Sequence, residues 1–298
     1  MALWCTSIVG IIIIAWALRE IFRDLFQPTG SGSLSSFVAR WLFRLSKHAP
    51  STMRIAGPLS IVVVIFAWTF ATAADFALIY WGRFPQSFHS AATESHEPVG
   101  RFWTVLYISL ASLTTLSSGE IAPQGAGGRI ITAVESLIGV SLITASVTWI
   151  VLIYPALGRM RALSRSAATL IWAQQDTGID LLGGNVEGLL GDLADAVIRV
   201  RVDLIHFPLI YYFHADTEGT SLARSLIHLS ELAERASHDK RPEQIRLGAA
   251  MLNHAIGETA ALLAAKFLRQ VKDKEPREIF EAMRRDHLER DKPDQEEQ

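Results

Sequence analysis

The stretch SLTTLSSGEIAP, residues 112–123, is polar, although long apolar segments precede and follow it. It carries paired threonines, paired serines, a glycine and a glutamate in close succession. Inside a membrane, backbone that is not helical is tolerated only where it is buried in protein or lines water. The stretch therefore indicates a loop that enters a membrane and returns.

Three apolar segments approach the roughly 20 residues that a helix needs to span a bilayer. They are Ala2–Leu18, Ala56–Trp81 and Ile130–Leu157. The first has no basic region before it and no small-residue cleavage site after it, so we expect an uncleaved anchor helix; the alternative is a helix lying in the membrane interface. The fold class predicted from these segments is an all-α membrane protein.

Lysine and arginine are concentrated at one end of the predicted spans. Six basic residues lie between the first and second spans, and three follow the third: Arg19, Arg23, Arg40, Arg44, Lys47, Arg54, Arg159, Arg161 and Arg165. By the positive-inside rule both regions are cytoplasmic. The N-terminus and residues 82–128 are then expected outside, and the C-terminus in the cytoplasm.

Residues 158–298 alternate charged and apolar positions, which predicts an all-helical cytosolic domain. Apolar residues recur at helical spacing in Val186–Phe207, Leu222–Ala236 and Ile245–Val271. Pro242 and Pro276 stand where helices can begin. The tail DHLERDKPDQEEQ is predicted to be disordered.

The sequence argues against several classes of function. It has no glycine-rich phosphate loop and no set of nucleophile, base and orienting group, so an enzyme is not expected. The single cysteine, Cys5, excludes a disulfide or a thiolate zinc site within the chain. Neither a metal nor a cofactor is expected, and the net charge of −2 gives no reason to expect nucleic acid. The pattern identifies no cytosolic ligand or partner.

The segment RFWTVLYISLASLTTLSSGEIAPQGAGGRIITAVESLIGV, residues 101–140, resembles the pore region of the potassium-channel superfamily, in the two-transmembrane "ion channel" form found widely in bacteria. The resemblance covers roughly Pro58–Leu157. It implies a pore domain at 56–157, after an anchor and basic connector at 1–55, and a location in the bacterial inner membrane. The implied elements are an outer helix at 56–81, a re-entrant pore helix at 102–114, a filter at 115–120 and an inner helix at 130–157.

In that family the carbonyls of a T-V-G-Y-G segment replace the hydration shell of the ion. The resemblance assigns the filter and the threonine before it to Thr114, Thr115, Leu116, Ser117, Ser118, Gly119 and Glu120. Ser117 replaces the first glycine and Ser118 replaces the tyrosine. An L-residue in a left-handed conformation costs roughly 1–2 kcal/mol, so Ser117 makes the usual filter harder to hold. A wider, weakly selective filter is expected, with four copies of Glu120 forming an outer carboxylate ring.

Other residues of the predicted pore have two possible roles each. Trp103 and Glu135 are expected to support the filter, Glu135 by hydrogen bonds to the back of the pore helix. Gly139 is either a hinge of the inner helix or a point of close helix packing. A stripe of residues either lines the lower pore and its gate or belongs to the core: Leu142, Ser146, Ile150 and Ile153.

One chain supplies one pore loop, so the resemblance implies a homotetramer surrounded by membrane lipid. The expected function is conduction of monovalent cations, K⁺ and Na⁺, with little discrimination between them. Two alternatives remain: a truly potassium-selective channel, and a non-conducting membrane sensor or scaffold that keeps the pore fold.

Overall fold

The computed structural model describes residues 53–84, 86, 88–90, 98–116, 121–183, 187–213, 221–238, 241–271 and 273–288, with a few isolated positions before residue 53. The predicted anchor, most of the basic connector, filter residues 117–120 and the tail from residue 289 lie outside the described residues. The chain divides into two compact units, one containing Ser60–Val151 and the other containing the chain from Leu152 onward together with Ala39–Leu59.

Three helices and a small sheet are described in the pore region: α1 (Met53–Trp81), β1 (Phe88–Ser90), α2 (Pro98–Leu113), β2 (Ile121–Pro123) and α3 (Gly125–Thr177). Helices α1 and α3 are long and apolar enough to cross a membrane. Helix α2 has 16 residues and is about 24 Å long at 1.5 Å per residue, which is less than the roughly 30 Å of a bilayer core. The predicted short helix between two spans is therefore present.

The two strands form an antiparallel pair that was not predicted. Phe88 lies opposite Pro123, and Ser90 lies opposite Ile121. The pairing joins the segment after α1 to the segment just beyond the predicted filter. Strands of three residues are too short to give a periodicity that sequence analysis can detect.

The core of the first unit is formed where α1, α2 and β1 meet. Its buried side chains come from all three elements: Phe76, Ile79, Tyr80, Phe84, Phe88, Val105, Leu106, Ile108 and Leu113. Ile131 and Ile138 of α3 pack against this cluster. Earlier along α1, before this cluster begins, Val62, Phe66 and Phe70 are exposed, which suits contact with lipid.

The helix limits differ from the predicted ones chiefly in α3. This helix was predicted at 130–157 but extends from Gly125 to Thr177. The prediction followed the apolar run, which contains Pro155 and ends at Leu157, whereas the helix continues beyond it as an amphipathic segment. The limit predicted between the inner helix and the cytosolic domain thus lies within one helix. The pore helix runs over 98–113 rather than 102–114.

Beyond α3, the described residues of the second unit form the α-helices α4 (Glu187–His206), α5 (Leu222–Ala236), α6 (Glu243–Lys266) and α7 (Pro276–Leu288). The Ser221 hydroxyl caps α5 by accepting a hydrogen bond from the Arg224 backbone N–H. Apolar residues at helical spacing bury one face of each helix, including Leu204, Leu226, Leu252, Ile256 and Phe280. The predicted helical periodicity of this region is confirmed, and helices begin at or just after Pro242 and Pro276.

Candidate functional site

The C-terminal end of α2 is where the helix gives way to the predicted filter. The Thr114 backbone N–H and hydroxyl both donate to the Leu110 carbonyl oxygen, at 3.0 and 2.7 Å. The Thr115 N–H donates to the Ser112 carbonyl oxygen at 3.1 Å. Thr115 has φ 57°, a left-handed conformation that is an outlier for a β-branched residue. The chain therefore turns sharply at Thr115, and Leu116 beyond it is 64% exposed.

The predicted filter lies between two fixed points. Thr115 and Leu116 follow the end of α2, and the chain is described again at Ile121 in β2. Ser117, Ser118, Gly119 and Glu120 lie outside the described residues, so their assignment as a filter stays a prediction. The last carbonyls of α2 carry partial negative charge, which favours a cation near this point.

Helix α3 contacts the end of α2 at two successive positions. The Ser136 hydroxyl donates to the Ser112 carbonyl oxygen at 2.8 Å. One turn further, Gly139 lies against Leu113: a Cβ added at this glycine would be 1.8 Å from the Leu113 carbonyl oxygen. Of the two roles predicted for Gly139, the structure supplies a direct physical reason for close packing, because only a residue without a side chain fits there.

Glu135 is fully buried and joins all three helices of the pore region. Its Oε2 accepts a hydrogen bond from the Tyr80 hydroxyl of α1 at 2.5 Å. Its Oε1 lies 2.5 Å from the Ser109 hydroxyl of α2, which is also 2.8 Å from the Ala73 carbonyl oxygen. Because a buried carboxyl group without partners is very costly, these contacts hold α2 at a defined position against α1 and α3.

The N-terminal end of α2 is held in place by a second set of polar contacts. The Arg101 guanidinium donates to the Trp81 carbonyl oxygen at 2.6 Å and also to that of Phe84. It lies over the Trp81 ring, 5.7 Å from the ring centroid. A cation at the C-terminal end of α1 is favourable because the last carbonyls of a helix lack helical partners. Both ends of α2 are therefore fixed to the flanking helices.

Trp103 is 61% exposed on the single chain. Its ring meets that of Phe102 edge-on, with centroids 5.5 Å apart. The side chain thus points away from the core that holds α2, and its predicted support of the filter stays a prediction.

The stripe predicted to line the lower pore is covered by its own chain. Leu142 is 6% exposed, Ser146 5% and Ile153 0%, while Ile150 is partly buried. Trp149, on the same side of α3, packs against Trp68 of α1 with ring centroids 5.2 Å apart. This burial agrees with core packing, the alternative role predicted for the stripe, and a role in lining the pore stays a prediction.

A different stripe of α3 is exposed. Leu137 is 67% exposed, and Ser141, Thr144 and Thr148 follow it at spacings of four, three and four residues. At 3.6 residues per turn this stripe lies nearly opposite the buried one. Each hydroxyl donates to the carbonyl oxygen four residues earlier, at 2.8, 2.9 and 3.0 Å, which leaves the oxygen lone pairs free to accept bonds from water.

Four polar residues of this region were not predicted from the sequence: Tyr80, Arg101, Ser109 and Ser136. Each is a polar side chain in or beside an apolar segment, and that was the available signal. Their partners lie 17 to 55 residues away in the chain, so nothing local identifies them. Among the residues that the structure describes, no group of three or more His, Cys, Asp or Glu could hold a metal ion.

Comparison with known proteins agrees with this arrangement. Residues 59–154 match the family model described as "Ion channel". This part of the chain, roughly a third, is therefore similar to a pore domain of the two-transmembrane, potassium-channel type.

The chain is also similar to a protein of Bacillus subtilis (strain 168) called "Uncharacterized membrane protein YdjJ". The two are 23% identical over 237 residues, which is 76% of this chain and 67% of the relative. The similarity thus reaches well beyond the pore domain and agrees with a membrane protein. No solved structure matches the chain.

Proposed function

We propose that the chain is one subunit of a homotetrameric channel for monovalent cations, in a bacterial inner membrane, with its C-terminus in the cytoplasm. The main support for this proposal is the close contact between the end of α2 and Gly139 of α3, at the point where the polar stretch begins. A helix too short to span, held at both ends and followed by polar backbone, is the arrangement that a pore loop requires. The match of residues 59–154 to the ion-channel family supports it.

In this proposal the ion path below the filter is lined by the exposed hydroxyls of Ser141, Thr144 and Thr148. The reason is their exposure on a membrane-crossing helix whose opposite side is buried. Hydroxyl oxygens that still accept hydrogen bonds can coordinate water around a passing cation. Above the filter, four copies of Glu120 would concentrate cations and exclude anions.

Ser117 and Ser118 favour weak discrimination between K⁺ and Na⁺. Selectivity depends on the geometry of the filter or on the number and strength of its carbonyl dipoles. Ser117 lacks the conformational freedom of glycine, and Ser118 lacks the ring that would pack behind the filter. Both substitutions relax the filter.

The test is to measure reversal potentials of the purified full chain in planar bilayers. We expect a value near zero with K⁺ on one side and Na⁺ on the other, and a value near the cation equilibrium potential in a KCl gradient. Ser117→Gly together with Ser118→Tyr should shift the first value toward K⁺ preference. Glu120→Gln should lower the conductance at about 0.01 M salt and hardly at about 1 M, where the screening length is about 3 Å.

Two results would overturn parts of the proposal. Strong K⁺ selectivity of the unaltered chain would contradict the interpretation of the two serines. A tetramer by native mass spectrometry that gives no unitary currents would favour the non-conducting sensor or scaffold.

A further inference from the structure

The cytosolic end of α3 is a structural part of the second unit. One side of it is buried, and the buried residues recur at helical spacing: Ala156, Leu157, Met160, Leu163, Ser164, Ala167 and Ala168. The buried Ser225 hydroxyl of α5 donates to the Ser164 carbonyl oxygen at 3.2 Å. This segment of α3, from Ala156 to Ala168, therefore contributes one side to the core of the second unit.

Arg159 joins this part of α3 to α4. Its Nε donates to Asp203 Oδ2 and its Nη2 to Asp203 Oδ1, both at 2.7 Å. Two parallel bonds between a guanidinium and a carboxylate restrict orientation as well as distance. A shift of the helix by a fraction of a turn would break at least one of them.

The pair is unequal in burial, and this makes it sensitive to movement. The Asp203 side chain is 6% exposed and that of Arg159 is 45% exposed. If the helix moved away, Asp203 would remain buried without its counter-charge, whereas Arg159 would be hydrated. A buried charge that loses its partner is strongly destabilising, so the pair favours one position of α3 relative to α4.

Pro155 lies four residues before Arg159 within α3. A proline in a helix interior removes a backbone hydrogen bond and is the commonest cause of a bend. Pro155 therefore leaves α3 one backbone hydrogen bond short, just before Arg159.

We propose that Arg159 and Asp203 are positioning residues that couple the helical domain to the opening of the pore. The pair fixes the segment of α3 after Pro155 and thereby biases the equilibrium between open and closed states. This inference rests on the proposed channel function, and it assigns a gating role to a contact that does not touch the ion.

The experiment is a double-mutant cycle in the full chain, recorded as single channels in bilayers. The variants are Arg159→Gln, Asp203→Asn and the two combined, with Arg159→Lys as the conservative change. Arg161→Gln is the control on α3, because this exposed residue lies two positions away on the same helix. Asp195→Asn is the control on α4, where the ion pair with Arg199 is exposed.

We expect both single neutralisations to change the open-to-closed ratio in the same direction, each by about fivefold or more. The combined variant should change it no further, and Arg159→Lys should recover part of it. Unitary conductance and reversal potential should be unchanged in all of them. Both controls should behave like the unaltered chain.

A purely structural role predicts a different result. If the pair is purely structural, neutralising it lowers the melting temperature of the protein and leaves the open-to-closed ratio unchanged. Additive effects of the two substitutions on the open-to-closed ratio would also overturn the proposal. Absence of unitary currents from the unaltered chain would instead refute the proposed function itself. Hydrogen exchange of α3 and α4 in purified protein separates the two failures, because it detects loss of the contact without any current.

Discussion

Gly139→Ala is expected to displace the pore helix. The added Cβ would lie 1.8 Å from the Leu113 carbonyl oxygen, whereas real Cβ atoms practically never come within 3.0 Å of such a neighbour. The two helices must therefore separate by at least 1.2 Å, the difference between these distances. The atom that must yield belongs to the backbone of α2, which the neighbouring Ser136–Ser112 bond also holds.

The expected loss of stability follows from two opposing effects. Overpacking typically costs 1–3 kcal/mol and occasionally more, while alanine gains about 1 kcal/mol over glycine in a helix. Since the clash is with backbone, we expect a net loss of about 2 kcal/mol, or a melting temperature lower by about 4–8 °C. Gly158→Ala is the matched control, because a Cβ there meets nothing within 4 Å.

Thermal unfolding of the purified chain in detergent and single-channel recording together test this prediction. If Gly139 is a contact, Gly139→Ala lowers the melting temperature and alters the unitary conductance of the proposed channel, since the predicted filter follows directly on the end of α2. If it is a hinge, the variant is as stable as the unaltered chain or more so, and only the open probability changes. The second outcome would refute the packing argument.

Three further predictions concern other contacts. Tyr80→Phe removes a hydrogen bond to the buried Glu135 carboxyl group and should cost about 1–3 kcal/mol, seen as a lower melting temperature. Gly57→Ala would bring a Cβ within 2.8 Å of the Phe213 ring and should lose about 1–3 kcal/mol; adding Phe213→Leu should restore part of the loss, and a failure to do so would contradict this contact. The pKa of Asp180 is lowered, most strongly by the hydrogen bond from the Leu182 backbone N–H and less strongly by the Arg241 and Arg235 guanidinium groups. Because the folded-state pKa is lower, the carboxylate stabilises the folded state at neutral pH, and this contribution disappears as the pH falls through the folded pKa. Asp180→Asn should thus melt earlier than the unaltered chain at pH 7, with a gap that narrows in acid; a gap independent of pH would exclude this electrostatic role.

The sequence predicted three kinds of feature: the apolar run of α1, the polar stretch after α2, and the amphipathic periodicity of α4, α5 and α6. Each depends on properties within one segment, namely its length, composition and spacing of apolar residues. The same local information places a filter after Thr114 through its resemblance to a known pore loop. It also predicts Glu135 as a brace, because an ionisable group within a span needs a partner.

Which side of α3 is buried was decided only by the tertiary structure. The membrane-crossing part of this helix is apolar on nearly every side, and lipid is as apolar as a protein core. Hydropathy therefore cannot distinguish the buried stripe of Leu142 and Ser146, which is the predicted one, from the exposed stripe of Ser141 and Thr144. On the buried side, Trp149 packs against Trp68.

The partners of the polar side chains were likewise beyond the sequence. Tyr80 meets Glu135 across 55 residues, Ser109 meets Glu135 across 26, and Arg159 meets Asp203 across 44. Of these groups, only Glu135 was indicated by the sequence as needing a partner, because a buried carboxyl group without one is costly. Only the folded chain, by bringing distant helices into contact, decided which partners they have.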